Sequence, residues 1–195
     1  VFFTGAGGPG YPLIYKALRS STRYRARIIG GDINEYSGNM QVKAWVDKAY
    51  ALPPNSSNDF VDHLLDIVRH ERIDFLFSAV DEELSLLAEN LSRFENEGCR
   101  MLLPPPCSLE AAYDKEISQR KLLPYIDMPK TLFSSDGVDV ASRMKDLGGK
   151  VAIKACRTRG NRHNYVVDKL EDAQNACFQL ERHGLNYIIQ EYIEG

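Results

Sequence analysis

Val1-Phe2-Phe3-Thr4-Gly5-Ala6-Gly7-Gly8-Pro9-Gly10-Tyr11-Pro12 opens the chain and sets its fold. An apolar, β-prone run meets a glycine cluster, and a helix is expected behind it over residues 11–20. Pro12 stands where a first-turn proline belongs, because its fixed φ suits a helix start and its missing N–H has no partner to lose there. Further short apolar runs read as strands: Arg27-Ile28-Ile29-Gly30, Ala49-Tyr50-Ala51-Leu52, Asp74-Phe75-Leu76-Phe77 and Arg100-Met101-Leu102-Leu103. Between them, Phe60, Val61, Leu64, Leu65, Ile67 and Val68 recur at helical spacing after Asp59, and Leu84, Leu87, Leu91 and Phe94 give one more helix its apolar face. Strands alternating with helices argue for βαβ units and a parallel sheet. Nearly continuous apolar strands agree with a sheet covered on both sides.

Pro104-Pro105-Pro106 is the clearest boundary, since serial prolines continue neither a helix nor a central strand. Two modules are expected, residues 1–105 and 106–195. In the second, residues 108–123, 139–147 and 169–182 read as helices. Thr131-Leu132-Phe133, Val151-Ala152-Ile153-Lys154, Tyr165-Val166-Val167 and Tyr187-Ile188-Ile189-Gln190 read as strands. The expected class is α/β: a Rossmann-like parallel-sheet domain followed by a small α+β subdomain.

The 195 residues are 44% hydrophobic and 26% charged, an ordinary globular balance. A formal net charge of -3 gives no electrostatic case for nucleic acid. No apolar run reaches the roughly 18–20 residues of a membrane span, and no signal-peptide pattern opens the chain. A cytoplasmic protein without nucleic-acid or membrane partners is expected. Both ends are abrupt, which points to a fragment of a longer chain. Cys99, Cys107, Cys156 and Cys177 form no C-x-x-C pair and read as reduced packing residues.

Four constellations carry possible chemistry. Gly5, Gly7 and Gly10 satisfy G-x-G-x-x-G between a strand and a helix, with Asp32 after the second strand. Alone this reads either as a dinucleotide site or as glycines that permit tight packing. Lys115 lies early in the second module, in Tyr113-Asp114-Lys115. Lys154 ends an apolar strand, followed by a basic loop holding Arg157, Arg159, Gly160, Asn161 and Arg162. Such a hairpin flap can lie over polyphosphate, with lysine as a point charge and arginine as a fork; it can equally be a solvated tip. Gln190-Glu191-Tyr192-Ile193 runs out of a buried strand and could offer backbone groups to an adenine edge.

Together and in this order, these features resemble the ATP-grasp superfamily, in particular proteins related to the carbamoyl-phosphate synthase large chain. The resemblance covers nearly the whole sequence. Residues 1–105 resemble a pre-ATP-grasp domain, where Asp74-Phe75-Leu76-Phe77-Ser78-Ala79-Val80-Asp81-Glu82-Glu83-Leu84 is similar to the family's strand running into an acidic helix start. Residues 106–195 resemble the first part of the ATP-grasp domain.

The resemblance implies ATP as cofactor. Lys115 and Lys154 would grip its phosphates. Arg159, Gly160, Asn161 and Arg162 would lie in the flap above them. Gln190, Glu191, Tyr192 and Ile193 would seat adenine, partly through the backbone. Gly7, Gly8 and Glu82 would face the second substrate, although Glu82 can also be a first-turn acid favoured by the helix dipole. No catalytic residue is assigned. The family's Mg²⁺ ligands lie beyond the hinge, so no metal ligand is expected in this chain, and the chain alone is expected to be inactive. The flap departs from the family in keeping only Gly160 as glycine, and Ala155 follows the strand lysine where proline is frequent.

The implied activity is an ATP-dependent ligase joining a small carboxylate to an amine or thiol through an acyl phosphate. A homo-oligomer is compatible with it. Two rivals stay open. One is an NAD(P)-dependent oxidoreductase or epimerase using Gly5 to Gly10, Asp32 and the Tyr165-x-x-x-Lys169 spacing. The other is a nucleotide sensor without turnover.

Overall fold

The computed structural model describes residues 1–137, 139, 143–158 and 162–194. They divide into two units, residues 1–106 and 107–195.

In the first unit, β1 (Phe2–Thr4), β2 (Ile29–Asp32), β3 (Lys48–Ala51), β4 (Phe75–Ser78) and β5 (Arg100–Met101) form one sheet in the order β3-β2-β1-β4-β5. Every pairing is parallel. Helices α1 (Tyr11–Ser20), α2 (Gly38–Gln41), α3 (Phe60–Glu71), α4 (Asp81–Glu89) and α5 (Leu91–Asn96) connect them. Alternate β1 side chains point to opposite faces. Phe2 packs with Ile29, Leu64, Leu65, Leu76, Leu87 and Phe94. Phe3 packs with Tyr11, Tyr15, Ile28, Met40 and Val46. The sheet is therefore covered on both sides. The chain leaves β1 toward β2 on one side and reaches β4 on the other, so the crevice past the strand ends at β1 and β4 is the fold's natural ligand position.

Some boundaries differ from the sequence reading. The helix expected through Leu84 and Phe94 divides at Asn90, whose backbone leaves the helical region at φ -106°, ψ 10°. Its side-chain amide donates to Leu86 O at 2.9 Å, which satisfies a last-turn carbonyl of α4. Strand β5 stops at Met101; Leu102 is exposed and the prolines follow. Helix α2 carries no sequence signal, because four residues show no period.

In the second unit, β6 (Thr131–Phe133), β7 (Val151–Ala155), β8 (Asn164–Val167) and β9 (Tyr187–Glu191) form an antiparallel sheet in the order β6-β9-β7-β8. Helix α8 (Leu170–Arg182) covers one face, with Ala173, Ala176, Cys177 and Leu180 against Val151, Ile153, Ala155, Tyr187 and Ile189. The single helix expected over 108–123 is two, α6 (Pro106–Tyr113) and α7 (Lys115–Leu122). Asp114, extended at φ -107°, ψ 114°, separates them, and its carboxylate accepts from the amides of Glu116 and Ile117. It is the N-cap of α7. Of the helix expected over 139–147, residues 145–147 form a 3₁₀ turn, and positions 138 and 140–142 lie outside the described residues.

Candidate functional site

In the second unit, Ala152 pairs with Gln190 and Lys154 with Ile188 across β7 and β9. Lys154 and Gln190 are thus diagonal neighbours on one face. The Lys154 ammonium donates to Gln190 Oε1 at 2.8 Å, and Gln190 Nε2 donates to Thr131 Oγ1 at 3.1 Å. Gln190 is buried and orients the lysine. Glu191 Oε1 accepts from the Lys130 amide at 2.8 Å, so that side chain ties β9 to β6. Tyr192 is partly exposed, with the Lys150 ammonium 3.9 Å from its ring centroid, and Ile193 is exposed. The end of β9 therefore leaves an aromatic ring, covered by Lys150, and an apolar side chain at the surface, and the buried Gln190 amide two residues before Tyr192 holds Lys154.

Lys115 is differently engaged. Its ammonium donates to Ala155 O at 2.9 Å and Thr158 O at 3.1 Å, with Cys156 O at 3.5 Å, and its amide donates to Cys156 O at 3.0 Å. Burial lowers its pKa, and the nearby Lys154 charge pushes the same way. Arg162 is exposed, and its carbonyl accepts from Thr158 Oγ1 at 3.1 Å. Arg159, Gly160 and Asn161 lie outside the described residues.

In the first unit, the glycine loop is largely self-satisfied. Ala6 N donates to Gly31 O, Gly8 N to Gly5 O, and Gly7 N to Asp32 Oδ2 at 2.8 Å. Asn39 Nδ2 donates to the carbonyls of both Gly7 and Gly8. A Cβ at Gly7 would stand 1.9 Å from Ser37 Oγ, so any side chain there forces Ser37 or the loop to shift. Pro9 has no N–H. The Ala6, Gly7 and Gly8 amides are thus already engaged, and Asp32 adds a negative charge. Tyr165 sits in β8 while Lys169 is the N-cap of α8, so the two share no helical face. The geometry does not support the oxidoreductase rival.

Glu82 lies in the first turn of α4. Its neighbour Glu83 holds the buried carboxylate between β1 and β4, accepting from Thr4 Oγ1 at 2.5 Å and Ser78 Oγ at 2.8 Å. Burial raises its pKa. Glu83, Asp32, Ser37 and Thr131 are the site residues the sequence reading did not assign. Only Asp32 carried a signal, and it pointed to a ribose rather than to the loop amide. The four cysteines are free, and burial raises the thiol pKa of Cys99, Cys156 and Cys177 to about 11, as expected of packing residues; Cys107, read from the sequence as a fourth, is exposed instead.

Residues 3–102, 100 of the 195, match the family described as PylC-like, N-terminal domain. The chain belongs to that family. No curated protein matches its sequence. Solved structures extend the likeness beyond the PylC-like domain. An L-amino acid ligase from Bacillus licheniformis superposes with TM-score 0.71 at 12% identity, over 100% of this chain and 44% of its own. N5-Carboxyaminoimidazole synthetase from Staphylococcus aureus, solved with ADP, gives 0.67 at 11%, over 99% and 47%. The biotin carboxylase domain of the Hydrogenobacter thermophilus 2-oxoglutarate carboxylase, solved with MgADP, ADP and bicarbonate, gives 0.70 at 14%, over 99% and 44%. At these identities the likeness is one of fold. The ATP-grasp relationship expected from the sequence is borne out by family and fold together. The PylC-like chain spans less than half the length of each of these proteins. No described helix is long and apolar enough to cross a membrane.

Proposed function

We propose that this PylC-like chain contributes the nucleotide-binding side of an ATP-dependent ligase. The ligase joins a small-molecule carboxylate to an amine or thiol through an acyl phosphate. The γ-phosphoryl group of ATP passes to a carboxylate oxygen. The nucleophile then attacks the acyl carbon, and phosphate leaves with the electron pair of the broken C–O bond. One observation carries this reading: the Lys154 ammonium is held by the buried Gln190, whose strand runs on into Tyr192 and Ile193. That pairs a phosphate cation with an apolar and backbone-bearing edge suited to adenine. Lys115 supplies the second cation, Arg159, Gly160, Asn161 and Arg162 the flap, and Gln190, Glu191, Tyr192 and Ile193 the adenine seat. Gly7, Gly8 and Glu82 face the second substrate.

Among the described residues no cluster of His, Cys, Asp or Glu fits a metal ion. No step is therefore routed through Mg²⁺ on this chain's residues. The glycine loop, with its amides spent and Asp32 attached, fits a substrate-side role better than an anion cradle.

The test is calorimetric titration of the protein with ATP, with and without Mg²⁺, repeated with Lys154→Ala and Lys154→Arg. Loss of one charge-assisted contact, about 1.5–3 kcal/mol, weakens binding by about tenfold to a hundredfold in the alanine variant. Arginine restores part of it. Equal affinity in all three proteins, or binding of NAD(P) in place of ATP, would overturn the assignment.

A further inference from the structure

The base of the flap is fastened to one short stretch of chain. Asp114 and Lys115 are consecutive, yet each uses its side chain and its helix-start position to hold residues 155–158. Asp114 Oδ1 caps α7, while Oδ2 accepts from Arg157 Nε at 2.7 Å. Burial alone would raise the Asp114 pKa. The hydrogen bonds from Arg157 and from the Ile117 and Glu116 amides outweigh it, and the net direction is down. Arg157 also reaches Glu110 at 3.9 Å. Lys115 grips the same segment from the other side through Ala155 O, Thr158 O and its own amide on Cys156 O.

These two holds respond differently to an incoming anion. Carbonyls are neutral acceptors, and a phosphate oxygen competes well for a lysine ammonium because a charged acceptor makes the stronger bond. An ammonium has three donors, and Lys115 points all three at carbonyls: Ala155 O, Thr158 O and, at 3.5 Å, Cys156 O. Turning to a phosphate therefore costs it a hold on the flap base. The Asp114–Arg157 pair is a carboxylate with a guanidinium, and it keeps its partner when Lys115 turns away.

We propose that Asp114 and Arg157 are positioning residues of the nucleotide site. Their ion pair holds residues 155–158 on the N-terminus of α7 while Lys115 exchanges carbonyls for phosphate. The inference rests on the nucleotide reading given above. Neither residue touches the nucleotide; each acts through Lys115 and the strand end that carries the flap.

The test uses Asp114→Asn, Arg157→Gln, the double variant, and Arg157→Lys. Asparagine caps a helix about as well as aspartate, so Asp114→Asn keeps α7 and removes the negative charge and the acceptor that face Arg157. The first readout needs no ligand: the rate of tryptic cleavage after Arg162, followed by mass spectrometry. Arg157 is half exposed, so one such pair is expected to shift cleavage by about fivefold to tenfold. Both single variants should be faster by that factor, and the double variant no faster than either. Wild-type rates in the single variants, or multiplied effects in the double, would sink the pair. The second readout is ATP affinity at a temperature where circular dichroism shows every variant folded. Affinity should fall by about the same factor in Asp114→Asn and Arg157→Gln and recover in part with Arg157→Lys. Faster cleavage with unchanged affinity would leave the pair purely structural and overturn the positioning role alone. Wild-type protein that binds no ATP would instead refute the nucleotide reading, and the positioning role with it, while leaving the cleavage result intact.

Discussion

Replacing Glu71 by glutamine tests whether a buried carboxylate at the end of α3 holds the first unit together. Its side chain is 4% exposed and accepts from Lys48, Tyr50 and Arg27. The hydrogen bonds from Lys48 and Tyr50, with Arg27 after them, pull its pKa from 4.5 down to about 2. A carboxylate with a lowered folded-state pKa adds stability that is fully present above its unfolded value and drains as pH falls toward the folded one. At about 1.4 kcal/mol per pH unit, the ceiling is about 3 kcal/mol near pH 7. Lys48 and Arg27 are 45% and 53% exposed, so screening lowers the expected contribution to about 2 kcal/mol. Their exposure also means that the glutamine variant buries no orphaned cation, which keeps the loss from growing beyond that. Trp45, the single tryptophan, lies in this unit and reports its urea unfolding by fluorescence. The wild type should exceed Glu71→Gln by about 2 kcal/mol at pH 7 and by less than half of that at pH 3. Carboxylates elsewhere titrate in both proteins and cancel in the difference. A gap that stays constant from pH 7 to pH 3, or is absent at pH 7, would refute the reasoning.

Other perturbations follow from packing. Leu64→Ala removes a fully buried side chain between Phe2 and Leu76 and should cost about 2–5 kcal/mol in the same Trp45 assay. Gly7→Ala drives a Cβ to 1.9 Å from Ser37 Oγ, so the loop must shift; about 1–3 kcal/mol of destabilisation is expected, with partial recovery when Ser37→Gly is added. Recovery is incomplete because Asp32 Oδ2 stays 2.9 Å from the same Cβ. A Gly7→Ala variant as stable as the wild type would show that Ser37 yields freely.

The alternation of apolar strands and helices was enough to read the parallel sheet, since Phe2 and Phe3 must point to opposite faces and both are apolar. The antiparallel second sheet was also legible as strands, though not its order, because pairing depends on contacts far apart in sequence. Asp114 shows where reading along the chain failed although a signal was present. An aspartate directly before Lys115-Glu116-Ile117 is an N-cap pattern, yet the helical run on either side hid the break. Lys115 shows the harder case. Its type and place mark it as a cation for phosphate, but nothing local says that three carbonyls near residue 156 already surround its ammonium. The same limit governs Gly7: its motif suggests an anion cradle, and only the approach of Asp32 and Ser37 shows the amide already taken. In both cases the sequence gives the residue's chemistry and not its present partner. The partner decides what a ligand must displace: neutral carbonyls at Lys115, which phosphate can outbid, and a carboxylate at Gly7, which repels it. On the proposed nucleotide reading, that difference is the reason the phosphate is placed in the second unit and not on the glycine loop.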